Sequence, residues 1–306
     1  MYEEDGNQTT QALLCMAASL ETHSLWFLVV SNAVLAITST LGNTLILIAL
    51  YKETSLHPPS KILLRSLALT DFFVGILLEP LFVMALMTAE YGSFSHCYYI
   101  ITICILIGIP LFFASLFTLT AISVDRFLAL LLGIRYRPVV TVKRFLLVVI
   151  FFWTLGIGLP FWGNFNPNIL PYFGSIAVTL CLVISTCCYS WIYQKLLRHQ
   201  IQVQEHVHPG QPNGHASLNI ARYRKTVSSA LWVQFTVLAC YLPTGILLVT
   251  MAIKGITLSL LVVWTFTTTL ALLNSSLNPI LYCWKMREVR RAVIDTIKKL
   301  FCCFSG

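Results

Sequence analysis

Charged side chains are rare in this chain. Lys and Arg together number 20 and Asp and Glu number 12, so that 10% of the 306 residues are charged, whereas soluble domains have roughly 25%. A single soluble core of this size would need a charged shell, which this composition does not provide. Disorder is excluded too, because disordered chains are poor in apolar residues and hydrophobic types make up 57% here. The composition therefore predicts a polytopic membrane protein.

Several long stretches contain no charge at all. Asp, Glu, Lys and Arg are absent from residues 22–51, 91–124 and 145–194, and a bilayer span needs about 20 mainly apolar residues. The turn formers at 163–168 divide the last stretch into two spans. The apolar runs do not alternate as those of membrane strands do, which indicates helices. Seven spans are predicted, at 26–51, 62–87, 97–131, 145–162, 173–196, 226–253 and 258–284.

The positive charges predict how the chain lies in the membrane. Nineteen of the 20 Lys and Arg residues fall on one side of the seven spans, which is the cytoplasmic side by the positive-inside rule. We therefore expect an all-α plasma-membrane protein with an extracellular N-terminus (1–24), a seven-helix bundle (25–284) and a cytoplasmic amphipathic helix and tail (285–306). Asn7 begins an Asn-Gln-Thr sequence and is predicted to be glycosylated. Membrane insertion accounts for the basic charge, so no nucleic-acid partner is expected.

Polar residues within the predicted spans are few. Asp71 lies near the middle of the second span, and an ionisable residue inside a span is a functional candidate. Uncharged polar residues accompany it in other spans: Asn43, Ser115, Asn274, Ser275 and Asn278. One interpretation is a set of interhelical hydrogen bonds. The other is a small-cation site, because a carboxylate and neutral oxygens are the ligands that hard cations prefer.

Six short motifs follow one another along the chain. They are Leu41-Gly42-Asn43, Ser66-Leu67-Ala68-Leu69-Thr70-Asp71, Ser123-Val124-Asp125-Arg126-Phe127, Trp153, Cys240-Tyr241-Leu242-Pro243 and the run from Asn274 to Tyr282 that contains Asn278-Pro279. In this order, each on its own helix, they make residues 26–300 resemble the rhodopsin-like (class A) G-protein-coupled receptors. A weaker resemblance to the melanocortin, cannabinoid and lysolipid receptors lies in two shared absences, a proline in the fifth helix and the usual disulfide.

The resemblance implies a receptor that binds an extracellular ligand, whether peptide, lipid or small molecule, and activates a heterotrimeric G protein. Arg126 matches the arginine that meets the G protein when the sixth helix swings outward, and an ion pair with Asp125 is the expected resting arrangement. Tyr189 and Tyr282 match residues that steady the open state. Tyr241 stands where the family has its switch tryptophan. The acidic residue often found at the inner end of the sixth helix is absent, which predicts measurable basal activity.

The resemblance also assigns a role to the polar residues of the spans. The matching residues in the family bind an allosteric sodium ion, and in this chain they are Asp71, Ser115, Asn274 and Asn278. No other cofactor is expected.

The ten cysteines suggest two kinds of modification. The loop at 163–172 has no cysteine, so the family's usual disulfide cannot form. Cys15 and Cys97 are the clearly extracellular pair and are expected to form a bridge in an oxidising compartment. Cys302 and Cys303 follow an amphipathic basic segment that is predicted to lie on the anionic lipids of the inner leaflet, and palmitoylation is expected there.

The resemblance also places a ligand pocket. Phe112, Phe113, Thr244, Leu248 and Thr268 match pocket positions and predict a mainly apolar cavity. Glu79 is the one acid in the outer half of a span. It is predicted to be either the counter-charge of a cationic ligand or a water-facing or hydrogen-bonded residue near a helix end. Gly108 stands where amine receptors have Asp, which argues against an amine ligand.

The alternatives to a receptor are a transporter and an enzyme. A small seven-helix transporter would use Asp71 and Glu79 as an ion or proton relay, although the inverted repeats frequent in transporters are not evident. An enzyme is not expected, because no metal cluster or nucleophile–base set stands out in the sequence.

Overall fold

Helices account for nearly all of the chain that can be described. A computed structural model describes Cys15 and residues 22–52, 57–165, 169–205, 214–285 and 287–304. Within these residues seven helices are long and apolar enough to cross a membrane. Their bounds are Thr22–Lys52, Pro58–Tyr91, Phe94–Leu132, Val142–Phe165, Ile169–Glu205, Gly214–Lys254 and Leu258–Lys285, and a C-terminal helix follows at Arg287–Phe304. The seven-helix prediction is confirmed.

Each helix is at least as long as its predicted apolar segment. The fifth helix runs to Glu205 and the sixth begins at Gly214, well outside the spans at 173–196 and 226–253. A helix satisfies its own backbone hydrogen bonds and can continue past the bilayer, whereas hydropathy detects only the apolar part. The predicted turn formers at 163–165 belong to the fourth helix, and 166–168 lie outside the described residues.

The second spanning helix is not regular. A π-helical turn occupies Val74–Leu78, directly before Glu79 and Pro80. Proline has no N–H to donate to the preceding turn, and single π turns inside helices are frequent at functional sites. Gly75 makes room here, because a β-carbon at this residue would lie 2.6 Å from the Thr40 hydroxyl oxygen of the first helix.

Apolar side chains lie both in the interior of the bundle and on its outer surface. Ile37 and Leu41 of the first helix are each 61% exposed, as expected for a surface that faces lipid instead of water. The C-terminal helix packs on the first helix through Val289 and Val293, which are buried. Its basic residues Arg290, Arg291 and Lys298 are exposed, so the helix is amphipathic as predicted.

Candidate functional site

A cavity of about 230 Å³ opens within the bundle. The second to the seventh helices all contribute to its wall, and the side chains that line it include Phe82, Phe112, Leu159, Leu248 and Trp264. None of the described residues that line it carries a charge. Polar contacts are limited to a few groups, among them the hydroxyls of Thr244, Thr268, Ser115, Ser275 and Tyr241. The cavity therefore offers hydrogen bonds but no counter-charge.

The structure joins Cys15 to Cys97 by a disulfide, with 6.1 Å between their α-carbons. Both half-cystines are buried in one apolar cluster with Cys104, Met251 and Leu261, and these three side chains also line the cavity. The bridge therefore ties Cys15 to the cavity end of the third helix. We call this end of the bundle the disulfide end, and the opposite end, which holds Asp125 and Arg126, the Arg126 end.

The predicted pocket residues divide into two groups. Phe112, Phe113, Thr244, Leu248 and Thr268 all line the cavity. Glu79 does not: its side chain is completely buried, and neither carboxylate oxygen has a hydrogen-bond partner among the described residues. The π turn before Glu79 widens the helix by one residue, so the residues after it face a direction that a regular helix would not give them. The expected counter-charge is thus outside the cavity.

Asp71 lies at the centre of a polar layer below the cavity. We use this name for Asp71, Ser115, Tyr241, Asn274, Ser275 and Asn278. Asp71 is completely buried. Its Oδ1 accepts a hydrogen bond from Ser275 Oγ at 2.8 Å, and its Oδ2 accepts one from Asn278 Nδ2 at 2.7 Å. Ser39 of the first helix donates to the Asp71 backbone oxygen at 2.8 Å, so three helices meet at this residue.

The other members of the polar layer surround the hydroxyl of Tyr241. This oxygen lies 3.3 Å from Ser115 Oγ and 3.5 Å from Asn274 Nδ2. Of the three residues predicted to bind sodium together with Asp71, only Asn278 is therefore hydrogen-bonded to it in the described part of the chain. Ser275 was not among them, although it was one of the polar residues noted in the seventh span. Its hydroxyl both bonds Asp71 and lines the cavity, which links the two sites.

The Arg126 end contains a further buried carboxylate. Asp125 is 2% exposed, and it accepts hydrogen bonds from Ser60 Oγ at 2.8 Å and from the Tyr136 hydroxyl. The expected resting ion pair with Arg126 is thus replaced, among the described residues, by two hydroxyl donors from the second helix and from the segment after the third. The Ser60 and Tyr136 contacts were missed, because nothing local in the sequence shows that these segments meet.

The environment of Tyr136 keeps its hydroxyl protonated. Burial, followed by the hydrogen bond to the Asp125 carboxylate, raises the pKa of Tyr136 to about 12. Ionisation would place a second negative charge beside Asp125, which is why the neutral donor is favoured. The ring also packs against His57, with 5.0 Å between the ring centres.

Arg126 is partly buried. Tyr189, one of the two tyrosines predicted to steady the open state, belongs to a buried cluster with Ile192 and Leu196 of the fifth helix, and Phe127, the neighbour of Arg126, packs against this cluster. Tyr282, the other, packs against the main apolar core of the bundle.

The predicted modification sites are close to the two ends of the chain. Asn7 lies outside the described residues. Cys302 and Cys303 belong to the last turn of the C-terminal helix, and their side chains lie outside the description.

The family model of the rhodopsin-family seven-transmembrane receptors matches residues 42–169 and 161–282. The human protein named G-protein coupled receptor 12 is 27% identical over 275 residues, which cover 85% of this chain and 77% of that protein. The guinea pig (Cavia porcellus) histamine H2 receptor is 25% identical over 297 residues, or 88% and 78% of the two chains. The dog adenosine receptor A2b is 31% identical over 172 residues, or 54% and 50% of the two chains.

These similarities do not favour the transporter alternative. The chain belongs to the rhodopsin family of seven-transmembrane receptors and is a G-protein-coupled receptor for an extracellular ligand, not an enzyme.

Proposed function

We propose that this receptor responds to an uncharged, mainly apolar ligand, such as a lipid with a neutral headgroup. The observation that carries the proposal is the absence of charge from the described lining of the cavity. A charged ligand group would lose its hydration there without gaining a partner, which costs several kcal/mol or more. The hydroxyls of Thr244 and Thr268 are suited to orient a small neutral headgroup.

Several relatives are named for charged or strongly polar ligands, but the pocket does not favour transferring those ligands to this chain. Relatives named as histamine and 5-hydroxytryptamine receptors match part or most of the chain. Gly108, which stands where amine receptors have Asp, lines the cavity, and a β-carbon there would meet Leu78 at 3.1 Å. No carboxylate is present at this position, and a side chain there would have to displace Leu78 slightly.

The cavity volume restricts the size of the ligand. About 230 Å³ is below the roughly 300–1,000 Å³ usual for drug-sized molecules. We therefore expect a small apolar molecule, or a lipid with one short acyl chain and a small neutral headgroup.

Signalling follows from a shift between two conformations. We propose that the ligand binds more tightly to the form in which the sixth helix has moved away from Arg126, so that binding increases the population of the form that engages the G protein. Thr244 and Leu248 of the sixth helix line the cavity, and Arg126 lies at the other end of the bundle. The sixth helix thus extends from the ligand to the G-protein surface.

The proposed orientation has the disulfide end outside the cell and the Arg126 end in the cytoplasm. It is supported by the distribution of Lys and Arg. An epitope tag at the N-terminus should be accessible to antibody on intact cells, whereas one at the C-terminus should require permeabilised cells. Glycosylation of Asn7 and palmitoylation of Cys302 or Cys303 belong to the same proposal, and N-glycosidase and hydroxylamine treatment test them.

The ligand class is tested with matched lipids. Cells that express the receptor with a panel of G-protein sensors are exposed to monoacylglycerols, to lysophosphatidic acids and to alkylamines of the same chain lengths. We expect responses to the neutral series alone. Leu248→Trp, which fills the cavity, should remove them, whereas Leu242→Trp should not, because Leu242 is 45% exposed on the outer face of the same helix. Equal responses to charged lipids, or equal effects of the two substitutions, would refute the proposal.

A further inference from the structure

The Tyr241 side chain connects the ligand cavity to the polar layer. Its ring lines the cavity and packs against Phe112, with 5.5 Å between the ring centres. Its hydroxyl lies between Ser115 of the third helix and Asn274 of the seventh. Only 2% of the residue is exposed, so the hydroxyl has its partners within the protein.

These contacts involve the groups that a sodium ion would need. Hard cations require several oxygen ligands, but Asn278 directs its amide nitrogen, not its oxygen, at Asp71. This orientation follows from chemistry, since an ionised carboxylate only accepts hydrogen bonds. Asn274 likewise directs its nitrogen at Tyr241, and its Oδ1 is the only buried oxygen of the polar layer that has no partner among the described residues. One unpaired oxygen is fewer than the several ligands that a hard cation requires, so the residues present do not fit a sodium ion in this arrangement.

We propose that the Tyr241 hydroxyl takes the place of the sodium ion that the family resemblance predicts. A phenol both donates and accepts, so it can accept from the Asn274 N–H while it donates to Ser115. The third, sixth and seventh helices are thereby joined directly beneath the cavity. Contact between a ligand and the Tyr241 ring then acts on the Asp71 contacts without an ion. This inference depends on the chain being a receptor and is independent of the neutral-ligand proposal.

The chemistry of the side chain explains why tyrosine serves this role. A tryptophan has one N–H donor and no acceptor, so it cannot accept from Asn274. A phenylalanine would leave both Ser115 and Asn274 without this partner in a buried site, where unmade hydrogen bonds are costly. It would also free the Ser115 oxygen to join Asp71 and the unpaired Asn274 Oδ1 around a cation.

The first test uses the unmodified receptor. Basal nucleotide exchange in membranes, and the melting temperature of purified receptor, are measured in sodium chloride and in N-methylglucamine chloride at equal ionic strength. We expect both to be the same in the two salts. A fall in basal exchange or a rise in melting temperature that is specific to sodium would overturn the proposal without reference to any variant.

The second test removes the hydroxyl. In Tyr241→Phe we expect sodium to lower basal exchange and to raise the melting temperature. The decrease in basal exchange should be about 2- to 10-fold, which corresponds to the free energy of one hydrogen bond. Asp71→Asn in the same background should abolish this new sensitivity. Tyr172→Phe is the matched control, because Tyr172 is 55% exposed. If Tyr241→Phe reaches the cell surface and stays insensitive to sodium, the hydroxyl does not occupy the place of the ion.

Discussion

The two halves of the bundle are built differently around their central contacts. Near the disulfide end, the cavity is bounded by apolar side chains, and its shape depends on how they pack. Below it, the polar layer consists of named donors and acceptors, with Asp71 held at 2.7 and 2.8 Å by Asn278 and Ser275. Apolar packing tolerates replacement by side chains of similar volume, whereas a buried hydrogen bond loses its function when either partner changes.

The two regions are therefore expected to control different properties. Substitutions in the cavity wall can change which ligand binds with little effect on the rest of the bundle, whereas substitutions in the polar layer affect the response to every ligand. Close backbone contacts reinforce the distinction. A β-carbon at Gly42 would lie 2.9 Å from Pro279 Cγ, and one at Gly75 would lie 2.7 Å from the Thr40 backbone nitrogen. The helices around the polar layer therefore have little freedom to shift independently.

The sharpest test of this comparison is at the Arg126 end. Arg126→Ala should reduce basal nucleotide exchange to the level of cells that lack the receptor, because the proposed partner surface for the G protein would lose its charged centre. Surface expression should be preserved, since Arg126 is only partly buried. Arg291→Ala, on the exposed face of the C-terminal helix, is the control. Basal exchange that survives in Arg126→Ala would remove this residue from the coupling site.

The disulfide end should lose stability when its bridge is removed. Cys15→Ser and Cys97→Ser are each expected to lower the melting temperature, by the equivalent of about 2–4 kcal/mol, and the double variant should be no worse than either. Cys187→Ser is the control, because Cys187 is a free, exposed cysteine. Additive losses in the double variant would mean that the two cysteines act separately.

The helix contact at Gly75 should be nearly as sensitive. Gly75→Ala must displace Thr40 of the first helix, and overpacking of this kind costs about 1–3 kcal/mol. Gly158→Ala serves as the matched change, because a β-carbon there meets nothing within 4 Å and alanine favours a helix. Thermal denaturation of the two variants should differ clearly; identical melting temperatures would show that the first two helices separate easily.

The smallest effect is expected at Tyr136. Tyr136→Phe removes one of the two hydroxyl donors to Asp125, so basal exchange should rise, by about 2- to 10-fold for one hydrogen bond. Tyr51→Phe, at a site that is 80% exposed, should change nothing. Basal exchange that is unchanged or reduced in Tyr136→Phe would contradict a restraining role for this contact.

The same residue predicts the pH dependence. The pKa of Tyr136 is raised from its ordinary value of 10.0 to about 12, so its contribution is complete below pH 10 and is lost only as the pH rises towards 12. The ratio of basal exchange between Tyr136→Phe and the unmodified receptor should therefore be the same at pH 6.5 and pH 8.5. A ratio that changes over this interval would point to a different titrating group.

Much of the fold and part of the site followed from local sequence. The apolar runs predicted seven helices, and the motif positions placed Phe112, Thr244 and Leu248 at the cavity that they line. The predictions that failed share a physical cause. Glu79 was assigned to the pocket as the one acid in the outer half of a span, but it follows a π turn and does not line the cavity. Asp125 was paired with its neighbour Arg126, and its partners came instead from Ser60 and Tyr136.

Hydropathy is a property of each segment alone, so the number of spanning helices, their approximate limits and the few polar residues within them could be predicted from the amino-acid sequence. The sequence also indicated the family, since the motifs are short and local. Which of these polar residues meet depends instead on how the helices pack. Tyr241 reaches Ser115 and Asn274 because three helices distant in the chain converge there. A hydrogen bond depends on the distance and direction between two atoms, and the helix packing sets both.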